Sequence, residues 1–534
     1  MLNSYSLNRS PQSLTSWLWV ALAAYLLATY LPLIAQAGIS VDDWGDIAHN
    51  LDCSSFWDCY GAWFPLFSNR PLAPLPITLL TFAFGDWYWG YLLVNSLLYL
   101  LAIGLCAQVI KGISSCASAT MFVLFAAVPM IAMPLITSPI NQSTATLSFV
   151  FWALSLLSLW HFLQSSLLKY WFLTYVLLLL AFLTYEVILP LLVLTSFLPW
   201  IHDRKKFHVL HVRYWAQFIA PIVVVLAIVT LWQKGIAPQF MSVDSRLKFE
   251  PSNAVAKLHT FFHVFYKQIP TLFMKMPGYL QWGGILTTVL GVATFFIAQK
   301  SLFSNPINPS KNGRFFIIAT LCLLASSFIF ILSDESAVSG GYEARGLSST
   351  WFAFALFLAA IYSQNIILHK IVKMLLGAFL ALCILCFSVQ RSQTIAAWKM
   401  QLDILQDVNQ QLRALNPPNG AVILGDVPHY LPNNYNNEIV FSQPWDFGAA
   451  IALTNQNRFI AGPVIDSSRG RWNQLHINNG IVHAQNFSGA PLENLWIYHY
   501  DPIQGKGSLS PIQTPAQFMQ LYATSQKQYE LLAR

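Results

Sequence analysis

Apolar runs of bilayer-crossing length recur along this chain from Trp17 to about Gln390, separated by short polar links, and then stop. A helix needs ~20 apolar residues to cross ~30 Å of hydrocarbon. The runs predict spans at 17–37, 87–110, 117–136, 143–164, 170–184, 186–200, 213–233, 281–299, 315–333, 350–367 and 374–390. Two of these, 170–184 and 186–200, are short enough to form a broken pair. The stretch 71–84 is apolar but short and proline-rich, so it is expected at the interface or dipping in. After residue 390 the pattern changes. Ile395, Trp398, Leu402, Leu405, Val408, Leu412 and Leu415 recur at spacings of three and four, the single stripe of a helix over 394–415 that Asn416-Pro417-Pro418-Asn419-Gly420 ends. The runs 421–425, 438–441 and 495–500 read as strands. The expected architecture is an all-α polytopic membrane domain of about eleven transmembrane helices over 17–390. A short cytoplasmic N-terminus (1–16) precedes it, and a small extracytoplasmic C-terminal α/β domain (391–534) follows.

Composition agrees with the pattern. Of 534 residues 56% are hydrophobic and 10% charged, against roughly 25% charged in soluble globular chains. The run at 17–37 has no small-residue cleavage site followed by a soluble mature domain, so it reads as a retained span. The net charge of +7 resides in short links: Arg204, Lys205, Lys206 and Arg213; Lys300, Lys311 and Arg314; Lys370 and Lys373. That is the positive-inside pattern of cytoplasmic loops. No basic stripe with interleaved aromatics suggests a nucleic-acid groove, and nucleic acid is not an expected partner. With the N-terminus inside, the loops 38–74, 137–142, 234–280 and 334–349 and the tail fall outside, and the long ones make the outer face the working surface. Cys53 and Cys59 lie in the first outer loop, where they could form a disulfide. The other cysteines lie in or beside apolar helices and read as packing residues.

Candidate chemistry gathers at the outer ends. Ile39-Ser-Val-Asp-Asp-Trp44 directly follows the first span. Asp42 or Asp43 could act as a general base or hold a divalent metal ion, or simply cap a loop helix. Arg70, in Asn69-Arg70-Pro71-Leu72, could grip a phosphate through two hydrogen bonds or snorkel to headgroups. Glu186 stands with Tyr185 between two short apolar segments, where an ionisable group is a functional candidate or a solvated turn residue. The loop from Asp334-Glu335 through Gly340, Gly341, Tyr342, Glu343 and Arg345 is rich in glycine and charge, suited to an anion or to a flexible turn. His259 and His263 share a helix face at a spacing that can hold zinc. The interleaved Phe261, Phe262 and Phe265 favour lipid headgroup contact instead. No Walker loop, hydrolase nucleophile elbow or dinucleotide-binding glycine fingerprint appears, so any group transferred outside must come from a membrane-borne donor.

The acidic pair past the first span, the long loop, the Arg70-Pro71-Leu72 return to the membrane and Phe84-Gly85-Asp86-Trp87 together resemble the multi-spanning GT-C glycosyltransferases. Nearest in character are the bacterial O-antigen glucosyltransferases and the protein O-mannosyltransferase and aminoarabinose transferase group. The motifs cover the first ~200 residues and topology carries the rest; Asn69 stands where the glucosylating enzymes tend to have glycine. The resemblance implies a bacterial inner-membrane enzyme that takes a sugar from a polyprenyl phosphate whose chain lies among the helices. The acceptor would be an extracytoplasmic glycan, lipid or protein. Asp42 or Asp43 would serve as base or metal ligand, and Arg70 and Arg345 would neutralise the departing phosphate. The alternatives are a transporter or flippase of an amphipathic solute, in which internal repeats and mid-bilayer polar residues are expected, and a surface-polysaccharide polymerase or ligase.

Overall fold

The computed structural model describes residues 11–50, 53–240, 251–301, 309–332, 337–364, 369–442, 444–455, 460–465, 476–478, 480–484 and 487–512, together with 514, 516, 517 and 520. Asp334 and Glu335 lie outside the described residues. Within them, eight helices are long and apolar enough to cross a membrane: Trp17–Gln36, Tyr88–Ile113, Ser143–Ser165, Val212–Gln239, Trp282–Lys300, Lys311–Leu332, Tyr342–Ser363 and Lys370–Leu415. Leu97, Leu101, Val223, Val224, Leu286 and Val289 on these helices are exposed, as lipid-facing side chains must be. The chain is an integral membrane protein.

The other three expected spans are shorter apolar helices, Cys116–Ala126, Leu168–Thr184 and Glu186–His202, as is Pro74–Phe84. The first of them has an informative cause. The run 117–136 stays helical only to Ala126, then turns irregularly through Pro129 to the four-residue helix Pro134–Thr137. Non-helical backbone at membrane depth is tolerated only where protein buries it and satisfies its polar groups. Here every residue from Ala117 to Ile140 is buried, and five side chains from four other spans donate to the freed carbonyls. Tyr25 and Tyr30 hydroxyls reach Leu124 and Ala127 at 3.0 and 2.8 Å. The Tyr99 hydroxyl reaches Ala126 at 2.8 Å, the Trp351 indole Phe125 at 3.0 Å, and the Gln390 amide Met130 at 2.8 Å. The broken span is thereby held rigid just before the loop 137–142.

The second difference lies at the expected domain boundary. The last span and the amphipathic stretch 394–415 are one helix, His369–Leu415. Arg391 does not end it, because its guanidinium donates to the carbonyls of Ala28 and Thr29 at 2.7 and 2.9 Å. The distal half of this helix carries the C-terminal module. Asp407 Oδ2 accepts from the Tyr498 hydroxyl at 2.8 Å and the Gly507 amide at 3.0 Å, and Gln411 bonds Gly507 and Leu509.

The module is α/β, as expected. Strands β1 (Val422–Asp426), β2 (Ile460–Val464), β3 (His476–Asn478), β4 (Ile481–Ala484), β5 (Phe487–Pro491), β6 (Leu495–Asp501) and β7 (Lys506–Pro511) form two sheets. The larger has the order β2-β1-β6-β7, with β1 parallel to both its neighbours and β7 antiparallel to β6; β3, β4 and β5 form an antiparallel sheet. The run 438–441, expected as a strand, makes a single bridge between Ile439 and Tyr430. Helix Pro444–Thr454 packs against the loop helix Asp42–Asn50, so module and membrane domain share a core that includes Trp44, Ile47, Trp398, Phe447 and Ile451.

At the opposite end of the bundle the links 111–118, 200–214 and 309–314 come together with Ser363 and Gln364. Ser114 donates to Asn312 at 3.0 Å, Asn312 to the Ser363 carbonyl at 2.8 Å, and Arg314 to the Trp200 carbonyl. The Lys and Arg clusters of the positive-inside pattern therefore share one end, and the candidate residues share the other.

Candidate functional site

The first span ends at Gln36 and the chain turns sharply at Val41, whose φ of 48° lies in the left-handed region. A β-branched residue adopts that conformation only under constraint. The turn delivers Asp42 and Asp43 as the first residues of helix Asp42–Asn50, where carboxylates suit the positive end of the helix dipole.

The two carboxylates then diverge. Asp43 is fully buried and clasps two loops. Its Oδ2 accepts from the Ser40 amide at 3.1 Å; its Oδ1 accepts from the Ser138 hydroxyl at 3.1 Å and the Ile140 and Asn141 amides at 3.1 and 2.9 Å. Burial pushes its carboxyl up to about 7 against the pull of these hydrogen bonds. Asp42 instead faces a cluster of side chains from distant parts of the chain. Its Oδ2 accepts from the Tyr342 hydroxyl at 2.6 Å and lies 3.5 Å from Arg345 Nη1, with 24% of the side chain exposed. The Tyr342 hydroxyl is also 3.0 Å from the side-chain amide of Asn141. The Arg345 guanidinium sits 4.0 Å over the Tyr342 ring.

A second guanidinium stands beside the first. Arg70 is bidentate to Glu186, its Nε bonding Oε2 at 2.6 Å and its Nη2 bonding Oε1. It lies 4.2 Å over the Tyr185 ring. The loop that carries it is anchored by its own carbonyls, Ser68 accepting from Trp232 at 2.7 Å and Pro71 from Tyr60 at 2.8 Å. Arg70 is within electrostatic reach of Arg345, and Tyr185 is within reach of both. Asp42, Tyr342, Arg345, Arg70, Tyr185 and Glu186 thus form one charged cluster drawn from four segments. The side chains of Glu186, Asp42 and Arg345 are 35%, 24% and 18% exposed.

The remaining expected residues fall around this cluster. Glu343 is exposed, though its charge reaches Arg345. Cys53 and Cys59 are disulfide-bonded. His259 and His263 lie on helix Pro251–His263 with ring centres 6.2 Å apart, paired with Tyr266 (3.1 Å) and Gln268 (3.3 Å) respectively. Gln268 also accepts from the Ser339 amide at 2.8 Å, which ties this segment to the loop leading into Tyr342. Among the described residues no group of three or more His, Cys, Asp or Glu side chains is placed to hold a metal ion. Asp42 and Asp43 fit one poorly: protein donors take both oxygens of Asp43, and a guanidinium adjoins Asp42.

Sequence reasoning passed over Asp46, Asn141 and the aromatic buttress behind them. Asp46 is 5% exposed, and its Oδ2 has no hydrogen-bond partner among the described residues. Burial, then the charges of Asp43 and Asp42, raise its carboxyl well above the usual range, while a hydrogen bond with the Asn141 side chain opposes them. Its position four residues after Asp42, one helical turn on, was the available signal. Trp44 donates to Gln401 at 2.9 Å, stacks on Trp398 at 5.8 Å and meets Tyr88 edge-on at 5.6 Å. The C-terminal module and its supporting helix thereby hold the acidic loop helix in place.

No family model matches the sequence, and no curated protein matches it. Among solved structures the chain is similar to the crystal structure of ArnT from Cupriavidus metallidurans in the apo state, at 17% identity and a TM-score of 0.38, over 86% of this chain and 91% of that one. It is similar also to the same protein bound to undecaprenyl phosphate, at 16% identity and a TM-score of 0.34 over the same shares of the two chains.

Proposed function

We propose that this protein is a membrane glycosyltransferase that moves a sugar from a polyprenyl-phosphate donor to a hydroxyl of an extracytoplasmic acceptor. The observation that carries the reading is the convergence of Asp42 with Arg345 and Arg70 at one end of the bundle, from segments far apart in the chain. As the acceptor oxygen attacks the anomeric carbon, the bond to the donor phosphate breaks and the electron pair leaves with that phosphate. Negative charge grows on the leaving group, and preorganised cations aimed at it lower the barrier. Arg345 and Arg70 supply them, each held by an aromatic face and an acidic partner. Asp42 takes the acceptor's proton, its partly exposed carboxylate kept in position by Tyr342. Asp43, whose oxygens are occupied, is a positioning residue beneath it. No step runs through a metal ion. The positive-inside pattern supports an extracytoplasmic position for this end of the bundle.

Steady-state transfer from a polyprenyl-phosphate sugar in reconstituted membranes tests the reading. Asp42→Asn should lower the transfer rate by about 10²-fold or more, the usual weight of a general base, with donor binding retained. Arg345→Ala should weaken binding of polyprenyl phosphate itself. Full activity of the Asp42 variant in correctly inserted protein would overturn the assignment.

A further inference from the structure

The basic end of the bundle holds a cavity that the proposed reaction does not use. It measures about 360 Å³ and opens between the C-terminal turns of helix Ser143–Ser165 and the link that precedes Val212–Gln239. Its wall includes Phe162 and Tyr214, and its polar lining includes Lys206, His208, His211 and Arg213. A water occupies about 30 Å³ of liquid, so the space suits a group much larger than one solvent molecule.

The charge there is one-sided. Between Ile201 and Arg213 the sequence has one acid, Asp203, and its Oδ1 is engaged by the Lys205 and Lys206 amides at 2.9 and 3.2 Å. Among the described residues neither Lys206 nor Arg213 has a carboxylate within ion-pair distance. Lys206 lies 5.3 Å over the Phe207 ring. His208 Nδ1 accepts from the Leu210 amide at 3.3 Å, which leaves its Nε2 to donate, and its ring centre is 5.3 Å from that of His211. Such a ring of donors around one cavity suits an anion. The neighbouring surface is greasy: Leu210 and Val212 are 81% and 83% exposed, and Trp215 is 52% exposed. An anion that also brings hydrocarbon satisfies both surfaces at once, and basic pockets at the cytoplasmic ends of transmembrane helices take lipid headgroups for this reason.

We infer that this cavity binds the phosphate headgroup of an anionic phospholipid, with Lys206 and Arg213 as its principal cations and the acyl chains lying along Leu210, Val212 and Trp215. The site is separate from the transfer reaction and stands whether or not that reading holds.

The full chain, reconstituted in nanodiscs of phosphatidylglycerol or phosphatidylcholine, tests the inference by native mass spectrometry of retained lipid and by thermal unfolding. Wild-type protein should retain phosphatidylglycerol and unfold at a higher temperature in it than in phosphatidylcholine. The double substitution Lys206→Gln/Arg213→Gln should lower retention about thirtyfold, at the weight usual for two basic residues at a membrane surface. Arg213→Lys, which keeps the charge, should retain the lipid, and Lys267→Gln/Lys275→Gln in the 251–280 segment should leave retention unchanged. Equal retention by the double variant and wild type would overturn the site. So would equal loss in the control pair, which would mean that net charge alone attracts the lipid. An equal rise in unfolding temperature from inorganic phosphate alone would overturn the lipid as ligand.

Discussion

The Tyr342 hydroxyl donates to Asp42 Oδ2 at 2.6 Å across 300 positions of chain, while the ring of the same tyrosine carries the Arg345 guanidinium 4.0 Å from its centre. One side chain therefore orients both the proposed base and the proposed phosphate cation. Tyr342→Phe keeps the ring beneath Arg345 and removes the bond to Asp42. Hydrogen bonds to charged groups contribute ~1.5–3 kcal/mol, so transfer should slow by about 10- to 100-fold through kcat, with the KM for the lipid-linked donor little changed. Tyr342→Ala removes the ring as well and should raise that KM. Steady-state kinetics of the two variants separates the two effects; a Phe variant as fast as wild type would show that Asp42 needs no such partner.

Arg70 and Glu186 make a different kind of pair, bidentate and largely enclosed, with the Arg70 side chain 10% exposed. Removing one partner from a buried ion pair leaves the other charge uncompensated, at a cost of ~3–5 kcal/mol when burial is complete. Glu186 is partly exposed, so Arg70→Ala should cost less, about 1–3 kcal/mol. Adding Glu186→Gln should restore most of that stability and none of the transfer activity, because the cation facing the donor phosphate is still missing. Unfolding temperature and transfer rate measured on the same preparations decide it. Recovery of activity in the double variant would reduce Arg70 to a structural partner of Glu186.

Most members of this cluster were legible in the sequence because charge is rare in an apolar chain: Asp42, Arg70, Glu186 and Arg345 stand out at the ends of spans, and Tyr342 came with the glycine-rich loop that carries Arg345. Their pairing was not. Nothing local to Glu186 names Arg70, or to Asp42 names Tyr342, since the contacts exist only once four segments meet. Asp43 and Asp46 show the converse. Hydropathy gives adjacent or turn-related carboxylates the same weight, yet one is held by loop amides and the other has an oxygen with no partner among the described residues. The span count fell for a related reason. Pattern alone sees an unbroken apolar run over 117–136, whereas the break at Ala126 is stabilised by Tyr25, Tyr30, Tyr99, Trp351 and Gln390 from other spans, which meet its carbonyls. Arg391 misled the boundary at 390 in the same way, its charge being satisfied by carbonyls of the first span rather than by water.

The buried carboxyls of the loop helix make stability depend on pH. Burial pushes Asp43 up to about 7 and raises Asp46 well above the usual carboxylate range, while in an unfolded chain such a group titrates near ~3.9. Between about 4 and 7 the folded protein therefore holds a proton that the unfolded one has released. The stability it confers is complete below the unfolded value and is lost as pH rises through the folded one, at no more than ~1.4 kcal/mol per pH unit for each group. The unfolding midpoint should accordingly decline from pH 5 to pH 8, and Asp43→Asn should flatten part of that decline. A midpoint that rises over this range would contradict the direction assigned to both groups.

The position of the acidic helix depends on a close approach behind it. At Gly38 an added Cβ would lie 2.2 Å from the Trp398 ring, and Trp398 is the surface on which Trp44 stacks at 5.8 Å. Trp398 belongs to the long helix that carries the C-terminal module, and Trp44 is also bonded to Gln401 one turn further along it. Gly38→Ala must push Trp398 aside, and overpacking of this kind costs ~1–3 kcal/mol. The displacement should pass through Trp44 to Asp42, two residues earlier on the same helix, and so lower kcat while donor binding at the arginines is kept. Gln401→Ala, which breaks the Trp44 bond without crowding the site, should act in the same direction more mildly. Hydrogen exchange over residues 42–50 provides the independent readout, because a loosened helix exchanges faster whether or not transfer can be measured. Unchanged exchange together with wild-type kcat in both variants would show that the acidic helix holds its position without the C-terminal half of the chain.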